Sequence, residues 1–259
     1  KVETPPAAAA LVQAAPGGEQ GGTNFGGTVA PAGDVNGDGF GDFLVGAPFF
    51  PLPVEESGRA YLYYGGPEAD ETADLVIAPL WGEGQFGTTL APAGDINGDG
   101  YDDFLIGSPS AGAGRVDLYF GGIAPDATPD LQFTGAGTVE YLGAAVAGGH
   151  DFNGDGYPDV LIGAPSALSG SARTGRAYVF YGGPLLDATA DLLVNGEVAQ
   201  DRCGHAVAFA GDLNGDGYCD ALVGAPEHDA PSANAGRVYV LFGGPAADGV
   251  ADLAIDGGA

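Results

Sequence analysis

Positive charge is scarce in this sequence. Its 259 residues include 7 Lys and Arg against 35 Asp and Glu, so the formal net charge is −28. Such a chain repels the phosphates of nucleic acids and the headgroups of anionic membranes. Long hydrophobic runs are absent too, because no stretch of 18 apolar residues occurs. The two absences predict no nucleic-acid partner and no membrane insertion, and they favour a secreted chain in an extracellular or cell-surface location.

Cysteine is nearly absent, with Cys203 and Cys219 as the two residues of this type. Both fall in one repeat unit, which would suit a disulfide. They begin two successive strands of a predicted hairpin, however, and so lie near its opposite ends. A disulfide tolerates a separation of about 7 Å between Cα atoms, and in-register pairing holds such residues farther apart than that. A disulfide and two buried thiols stay open as alternatives.

Motifs of common catalytic sites are also missing. The sequence contains no Gly-x-Ser-x-Gly, no His-Glu-x-x-His and no Gly-x-x-x-x-Gly-Lys. Its three His residues show no spacing typical of zinc ligands. We therefore expect that the chain is not an enzyme, with a polysaccharide-active enzyme as the alternative.

What the sequence does contain is a nine-residue acidic segment in four copies. The copies, here called acidic loops 1 to 4, span residues 34–42, 95–103, 151–159 and 212–220. Each has Asp at positions 1, 5 and 9, Asn at position 3, Gly at position 6 and an aromatic residue at position 7. Oxygen-bearing side chains thus recur at alternate positions of a tight turn, which is how a chain surrounds a hard cation.

Calcium takes six to eight oxygen ligands at about 2.3–2.6 Å, and each loop offers the side chains of positions 1, 3, 5 and 9 with the main-chain carbonyl of position 7. A metal-free Asp/Asn/Gly turn is the alternative for a single copy, but four complete copies favour Ca²⁺, four per chain. The predicted ligands are Asp34, Asn36, Asp38, Phe40 and Asp42; Asp95, Asn97, Asp99, Tyr101 and Asp103; Asp151, Asn153, Asp155, Tyr157 and Asp159; and Asp212, Asn214, Asp216, Tyr218 and Asp220.

The loops begin 61, 56 and 61 residues apart, a period typical of solenoids, propellers and arrays. Each unit contains four strand candidates: a small-residue segment before the loop, an apolar run after it, a segment that opens with Gly-Arg and one that opens with Asp-Leu. No stretch has helical periodicity of any length. Four antiparallel strands per unit predict an all-β fold, a β-propeller of four four-stranded antiparallel blades.

The same residues resemble the FG-GAP repeats of the integrin α-subunit head. Phe25-Gly26 and Phe86-Gly87 match the FG element, and Gly46-Ala47-Pro48, Gly163-Ala164-Pro165 and Gly224-Ala225-Pro226 match the GAP element. The departures from the pattern are Leu142, Cys203 and Ser108. The resemblance covers about residues 25 to 259 and implies a calcium-binding propeller that works as a binding or adhesion module.

The predicted organisation is an N-terminal tail at 1–24, with a candidate edge strand at Leu11-Val12-Gln13, followed by a propeller at 25–259. The four repeats are predicted at about 25–79, 86–135, 142–195 and 203–259. We expect these four blades to close into one ring, because an open propeller exposes strand edges. The alternatives are half of an eight-bladed ring made by two chains, and part of a longer array.

The expected function rests on what repeats and what varies. An Arg recurs at one position of every unit, so we expect structural carboxylate or carbonyl partners for Arg59, Arg115, Arg176 and Arg237.

The connections 49–57, 110–113, 166–174 and 227–235 vary most, and variation on a fixed frame suits recognition. We predict a protein ligand at these connections. The alternative is a carbohydrate ligand, as for a lectin or polysaccharide lyase. A second copy of the chain, forming a homodimer, is a further candidate partner.

Overall fold

The computed structural model describes residues 22–51, 57–79, 84–137, 139–229 and 232–258. Within these ranges the regular secondary structure consists of strands alone, as the absence of helical periodicity predicts. The strands are β1 (Thr28–Gly33), β2 (Asp42–Ala47), β3 (Arg59–Tyr63), β4 (Leu75–Ile77), β5 (Thr89–Gly94), β6 (Asp103–Ser108), β7 (Arg115–Tyr119), β8 (Leu131–Thr134), β9 (Ala145–His150), β10 (Asp159–Ala164), β11 (Leu168–Ser169), β12 (Ala172–Arg173), β13 (Arg176–Phe180), β14 (Leu192–Asn195), β15 (Ala206–Gly211), β16 (Asp220–Ala225), β17 (Arg237–Leu241) and β18 (Leu253–Asp256).

Sixteen of these strands form four antiparallel sheets of four strands each, which confirms the predicted blades. Blade 1 has the order β1-β2-β3-β4, blade 2 β5-β6-β7-β8, blade 3 β9-β10-β13-β14 and blade 4 β15-β16-β17-β18. The remaining pair, β11 and β12, forms a separate two-stranded hairpin in the connection 166–174. This hairpin was not predicted. The candidate strand at Leu11-Val12-Gln13 lies outside the described residues, and no described segment is a helix long and apolar enough to cross a membrane.

Position within the blade explains the composition of the strands. The apolar run after each acidic loop becomes the second strand, and in blades 2 and 3 all six residues of β6 and of β10 are buried. The first strands of the four blades lie side by side, and Val29, Leu90, Val146 and Val207 line one open cavity between them. Small side chains in these strands let four sheets converge there.

Successive blades pack face to face. We call the face that meets the following blade the trailing face, and the face that meets the preceding blade the leading face. Between blades 1 and 2, Leu62 and Ile77 of the trailing face pack in one cluster with Phe104 and Ile106 of the leading face. All four side chains are fully buried. Each interface therefore joins two sheets through a continuous apolar layer.

The four blades do not close into a ring of their own, and the predicted closure is wrong. The residue at position 2 of the acidic loop is fully buried in loops 1 to 3, as Ile96 shows, whereas Leu213 of loop 4 is 53% exposed. In the fourth strands, Ile77 is fully buried but its counterpart Ile255 is 52% exposed. Blade 1 thus does not cover the trailing face of blade 4. The angle between blades sets closure, and repeat spacing carries no information about that angle.

Both cysteines are free thiols, Cys203 buried and Cys219 partly buried. Ala206 pairs with Gly224 near one end of the β15–β16 hairpin, and Gly211 pairs with Asp220 at the other. Cys203 precedes the first of these ends and Cys219 the second. Strand register therefore separates the two sulfur atoms, which confirms the thiol alternative over a disulfide.

Candidate metal sites

The acidic loops join the first strand of each blade to its second strand, so all four lie at the same end of the blades. A register irregularity precedes each loop, and in blade 1 it falls between Pro31 and Gly33. Gly33 has a φ of +87°, a left-handed conformation that suits glycine. Such a bulge turns the chain out of the sheet and into the loop.

In loop 1 the side chains of positions 1, 3 and 5 fold back over the turn. The backbone N–H of Asp38 donates to Asp34 Oδ1 at 3.0 Å and to Asn36 Oδ1 at 2.9 Å. Phe40 N donates in turn to Asp38 Oδ1 at 2.9 Å. The other three loops repeat these bonds. The backbone therefore orients the oxygens of all three predicted side-chain ligands.

The Asp at position 9 connects the loop to the rest of the blade. Asp42 Oδ2 accepts a hydrogen bond from Val35 N and Asp42 Oδ1 accepts one from Gly65 N, each at 2.8 Å. Asp42 and its three counterparts are buried. A carboxylate oxygen has a second acceptor site beside the one that a hydrogen bond uses, so this side chain retains capacity for a cation.

Burial penalises the charge on the position 9 carboxylates of loops 1 to 3. It raises the pKa of Asp103 and of Asp159 to about 7, and it raises the pKa of Asp42 as well. Repulsion from Asp99 and Asp95 adds to the effect at Asp103, while the N–H groups of Gly121 and Ile96 oppose it. A bound dication would favour the charged form of such a group.

The donor chemistry fits a hard cation. Three carboxylates, one amide oxygen and one carbonyl per loop supply oxygen alone, without the nitrogen or sulfur that transition metals favour. Among the described residues no three His, Cys, Asp or Glu side chains converge as a metal cluster, and backbone N–H groups donate hydrogen bonds to the loop carboxylates. Each loop therefore contains the residue types that calcium prefers at the predicted positions. The assignment of individual residues as calcium ligands stays a prediction.

Successive loops touch through their positions 4 and 7, a contact between blades that was not predicted. Tyr101, at position 7 of loop 2, lies over Gly37, at position 4 of loop 1. Gly37 has a φ of +74°, and a Cβ there would lie 2.5 Å from Tyr101 Cε1. Loops 3 and 4 place their tyrosines over the preceding loops in the same way. The signal was present in the sequence, since position 4 is Gly in every copy.

Hydrogen bonds join loops 1 to 3 to the blade that follows each of them as well. Asp34 N donates to Asp102 Oδ2 at 2.8 Å, and Asp102 N donates to the Asp34 carbonyl at 3.1 Å. Gly122 N donates to the Val35 carbonyl at 2.8 Å, and the following two interfaces repeat this last bond. The acidic loops are therefore part of the contacts between blades.

The variable connections 49–57, 110–113, 166–174 and 227–235 join second to third strands, so their described residues lie at the end of the blades opposite the acidic loops. Their described residues contact the segments that link one blade to the next. Ser110 Oγ donates to Gln85 Oε1 at 3.1 Å, and Arg202 pairs with Glu227 at 3.0 Å. This end carries none of the predicted metal ligands.

The repeated arginines have structural partners, as predicted. Arg176 donates to Asn195 Oδ1 at 2.6 Å and to the Leu168 carbonyl at 3.0 Å. Arg237 pairs with Asp256 of its own blade and with Glu197 before it. Arg115 Nε lies 3.0 Å from Asp117 Oδ1. The Cζ atom of Arg59 lies over the Phe50 ring, 3.8 Å from the ring centre.

Known proteins share this sequence pattern. Integrin alpha-5 of Xenopus laevis is 32% identical over 191 residues, which are 69% of this chain and 17% of that protein. Integrin alpha-IIb of Mus musculus is 35% identical over 193 residues, 68% of this chain and 18% of the relative. Phosphatidylinositol-glycan-specific phospholipase D of Homo sapiens is 34% identical over 170 residues, 59% of this chain and 20% of the relative. The chain thus spans about a fifth of the length of these relatives.

The FG-GAP repeat pattern matches residues 25–63, 86–119, 142–180 and 204–241. Each match begins at or next to the FG position and extends through the acidic loop to the third strand of one blade. Leu142 stands within this pattern despite its departure from Phe. Because the four matches together cover more than half of the sequence, the chain belongs to the FG-GAP repeat family.

Proposed function

We propose that this chain is an extracellular, calcium-stabilised module of the integrin alpha type that binds a protein partner. Calcium has a structural role in this proposal. The observation that carries it is the separation of the two ends of the blades: the acidic loops participate in the contacts between blades, whereas the variable connections lie at the opposite end. A cation in each loop would stiffen the frame without touching the partner.

The binding surface is the end formed by the connections 49–57, 110–113, 166–174 and 227–235. Their lengths and sequences differ from blade to blade, and the hairpin β11–β12 extends the third of them. Phe49 and Leu168 are exposed apolar side chains in two of these connections, and Glu227 of a third connection pairs with Arg202. A mixed apolar and charged surface of this kind suits protein recognition more than the enclosed pocket of an enzyme.

The test is to replace the four connections by short Gly-Ser turns and to compare both proteins on arrays of purified secreted and cell-surface proteins and of glycans. We expect the unaltered chain to bind a protein, the exchanged chain to lose that binding, and both to keep the same calcium content and melting temperature. Binding that survives the exchange would overturn the assignment of the surface. Binding to glycans alone would establish the carbohydrate alternative.

One relative is named as a phospholipase D, so catalysis is the second function to consider. The similarity covers a fifth of that protein, and the activity in its name belongs to the whole protein. This chain contains none of the catalytic motifs considered above, and its clustered carboxylates belong to the acidic loops. We therefore propose a non-enzymatic role. Turnover of a polysaccharide or of a glycosylphosphatidylinositol by the purified chain would contradict it.

A further inference from the structure

The arginines of this molecule are gathered at one end of the blades. All six that belong to the described residues lie opposite the acidic loops: Arg59, Arg115, Arg176 and Arg237 begin third strands, Arg173 is in a variable connection, and Arg202 is in the segment that links blade 3 to blade 4. Lys1 lies outside the described residues. The Asp residues at positions 1, 5 and 9 of every acidic loop lie at the other end. The arginine end therefore favours an anionic group on a partner.

One of these six arginines is not engaged within the molecule. The four at the starts of third strands have the partners described above, and Arg202 pairs with Glu227. Arg173 is exposed, and among the described residues its guanidinium group has no hydrogen-bond or ion-pair partner. The chain contains 35 acidic residues, yet none of the described ones pairs with this group. Arg173 is therefore available for a carboxylate that another molecule supplies.

Arg173 lies in the hairpin β11–β12 of blade 3. Leu168 pairs with Arg173, and Ser169 pairs with Ala172, across a two-residue turn. Gly170 begins that turn with a φ of +62°, a left-handed conformation that such turns require. Residues directly opposite each other in an antiparallel pair have their side chains on the same face. The exposed side chain of Leu168 therefore lies beside Arg173, so one face of the hairpin presents an apolar group and a free cation.

Hydrogen bonds hold both strands of the hairpin at its base. Arg176 Nη2 donates to the Leu168 carbonyl at 3.0 Å. Gln200 N, in the segment that links blades 3 and 4, donates to the Arg173 carbonyl at 2.7 Å. The two exposed side chains are thus carried on a backbone that is already fixed to the blades. A partner that binds a preformed surface loses less conformational entropy on binding.

We propose that the hairpin β11–β12 binds an acidic segment of a protein partner. The Arg173 guanidinium pairs with an Asp or Glu carboxylate, and Leu168 packs against an apolar side chain beside it. The inference rests on the proposed function and names the chemistry of the partner. Arginines are enriched among the residues that dominate protein interfaces. Sulfated glycans bind clusters of basic residues, whereas Arg173 is a single free cation beside an apolar side chain, and this favours a protein.

The net charge of −28 is compatible with an acidic partner at this place. Glu197 and Glu227 at the arginine end are held in ion pairs by Arg237 and Arg202. The acidic loops lie a second strand away, which for six residues is about 20 Å. Exposed charges interact over about 8 Å at 0.15 M salt. The loops therefore contribute little repulsion at Arg173.

The test uses a protein that the array of secreted and cell-surface proteins identifies as a partner of the unaltered chain. In calcium and 0.15 M salt, Arg173→Ala should raise the dissociation constant by about tenfold or more, and Leu168→Ser should raise it as well. Ile123→Glu makes the same change in net charge at an exposed residue of the acidic-loop end, and it should leave the affinity unchanged. Added salt should weaken binding of the unaltered chain more than binding of Arg173→Ala.

Charge reversal separates a direct contact from a structural role. Arg173→Glu should lose binding, and one Asp→Lys or Glu→Lys substitution in the partner should restore it. Melting temperatures and calcium contents equal to those of the unaltered chain show that the variants fold. Unchanged affinity of Arg173→Ala, or no partner substitution that restores binding to Arg173→Glu, would overturn this inference and leave the proposed function standing. Absence of any protein partner would overturn both. Binding of a sulfated glycan through Arg173 in place of a protein would overturn the choice of partner.

Discussion

The ring of Tyr157 lies against Gly98 of the preceding acidic loop, so close that a Cβ on Gly98 would fall 2.5 Å from Tyr157 Cε1. The same pairing joins loops 1 and 2 and loops 3 and 4. A residue that looks like a turn glycine in the sequence is therefore also a contact between blades. Rigid loops and rigid blade packing depend on each other through this contact.

The first prediction compares two glycines at position 4. Gly98→Ala and Gly215→Ala both place a Cβ on a left-handed backbone, with φ values of +78° and +82°, at a cost of about 1–2 kcal/mol. Gly98→Ala also meets the Tyr157 ring, which adds about 1–3 kcal/mol of overpacking. We expect Gly98→Ala to lower the free energy of unfolding more than Gly215→Ala does. Equal losses in denaturant titrations would show that the ring contact contributes nothing.

The second prediction concerns metal removal. A cation that binds the folded chain alone stabilises it by about 2.7 kcal/mol per site at a hundredfold excess over its dissociation constant. Chelation with EDTA should therefore lower the melting temperature, and renewed calcium should restore it. The control is elemental analysis that confirms removal of the metal. An unchanged melting curve in metal-free protein would show that the acidic loops are ordinary turns without a stabilising metal.

The third prediction concerns the number of sites. Elemental analysis of dialysed protein should find four calcium ions per chain, and Asp99→Asn should lower the number to three by removing charge from loop 2 alone. Asp126→Asn makes the same change in charge at an exposed residue outside the loops, and it should leave four. Fewer than three ions in the unaltered chain, or equal losses in both variants, would contradict the ligand assignment.

The fourth prediction concerns Cys203. Burial raises the pKa of its thiol to about 12, from an ordinary value of 9.0. At pH 8 the thiolate fraction is then lower by a factor on the order of a thousand, and the thiolate is the form that reacts. In a Cys219→Ser background, we expect very slow labelling of the native chain by a disulfide reagent and rapid labelling after unfolding in guanidinium. Labelling of the folded chain at the rate of a free thiol would show that this site is open to solvent.

Local patterns were sufficient to predict much of the fold. The continuous apolar run after each acidic loop predicted the second strand, and the Gly-Arg and Asp-Leu starts predicted the third and fourth strands. The separation of Cys203 from Cys219 also followed from strand register, because register is a local consequence of the turn that joins two strands. The short hairpin β11–β12 was not predicted, since two-residue strands carry too little periodicity to detect.

The sequence by itself determined the oxygen chemistry of the acidic loops, the four strands per unit and the FG-GAP pattern, because each depends on residues that are near neighbours along the chain. Tertiary structure decided which loop covers which, as in the contact between Tyr157 and Gly98. It also decided that Leu213 and Ile255 remain exposed while their counterparts are buried. The four blades share one pattern of acidic loops and strands. Burial of a given position depends on whether another blade lies beside it, and that is set by the angle between sheets.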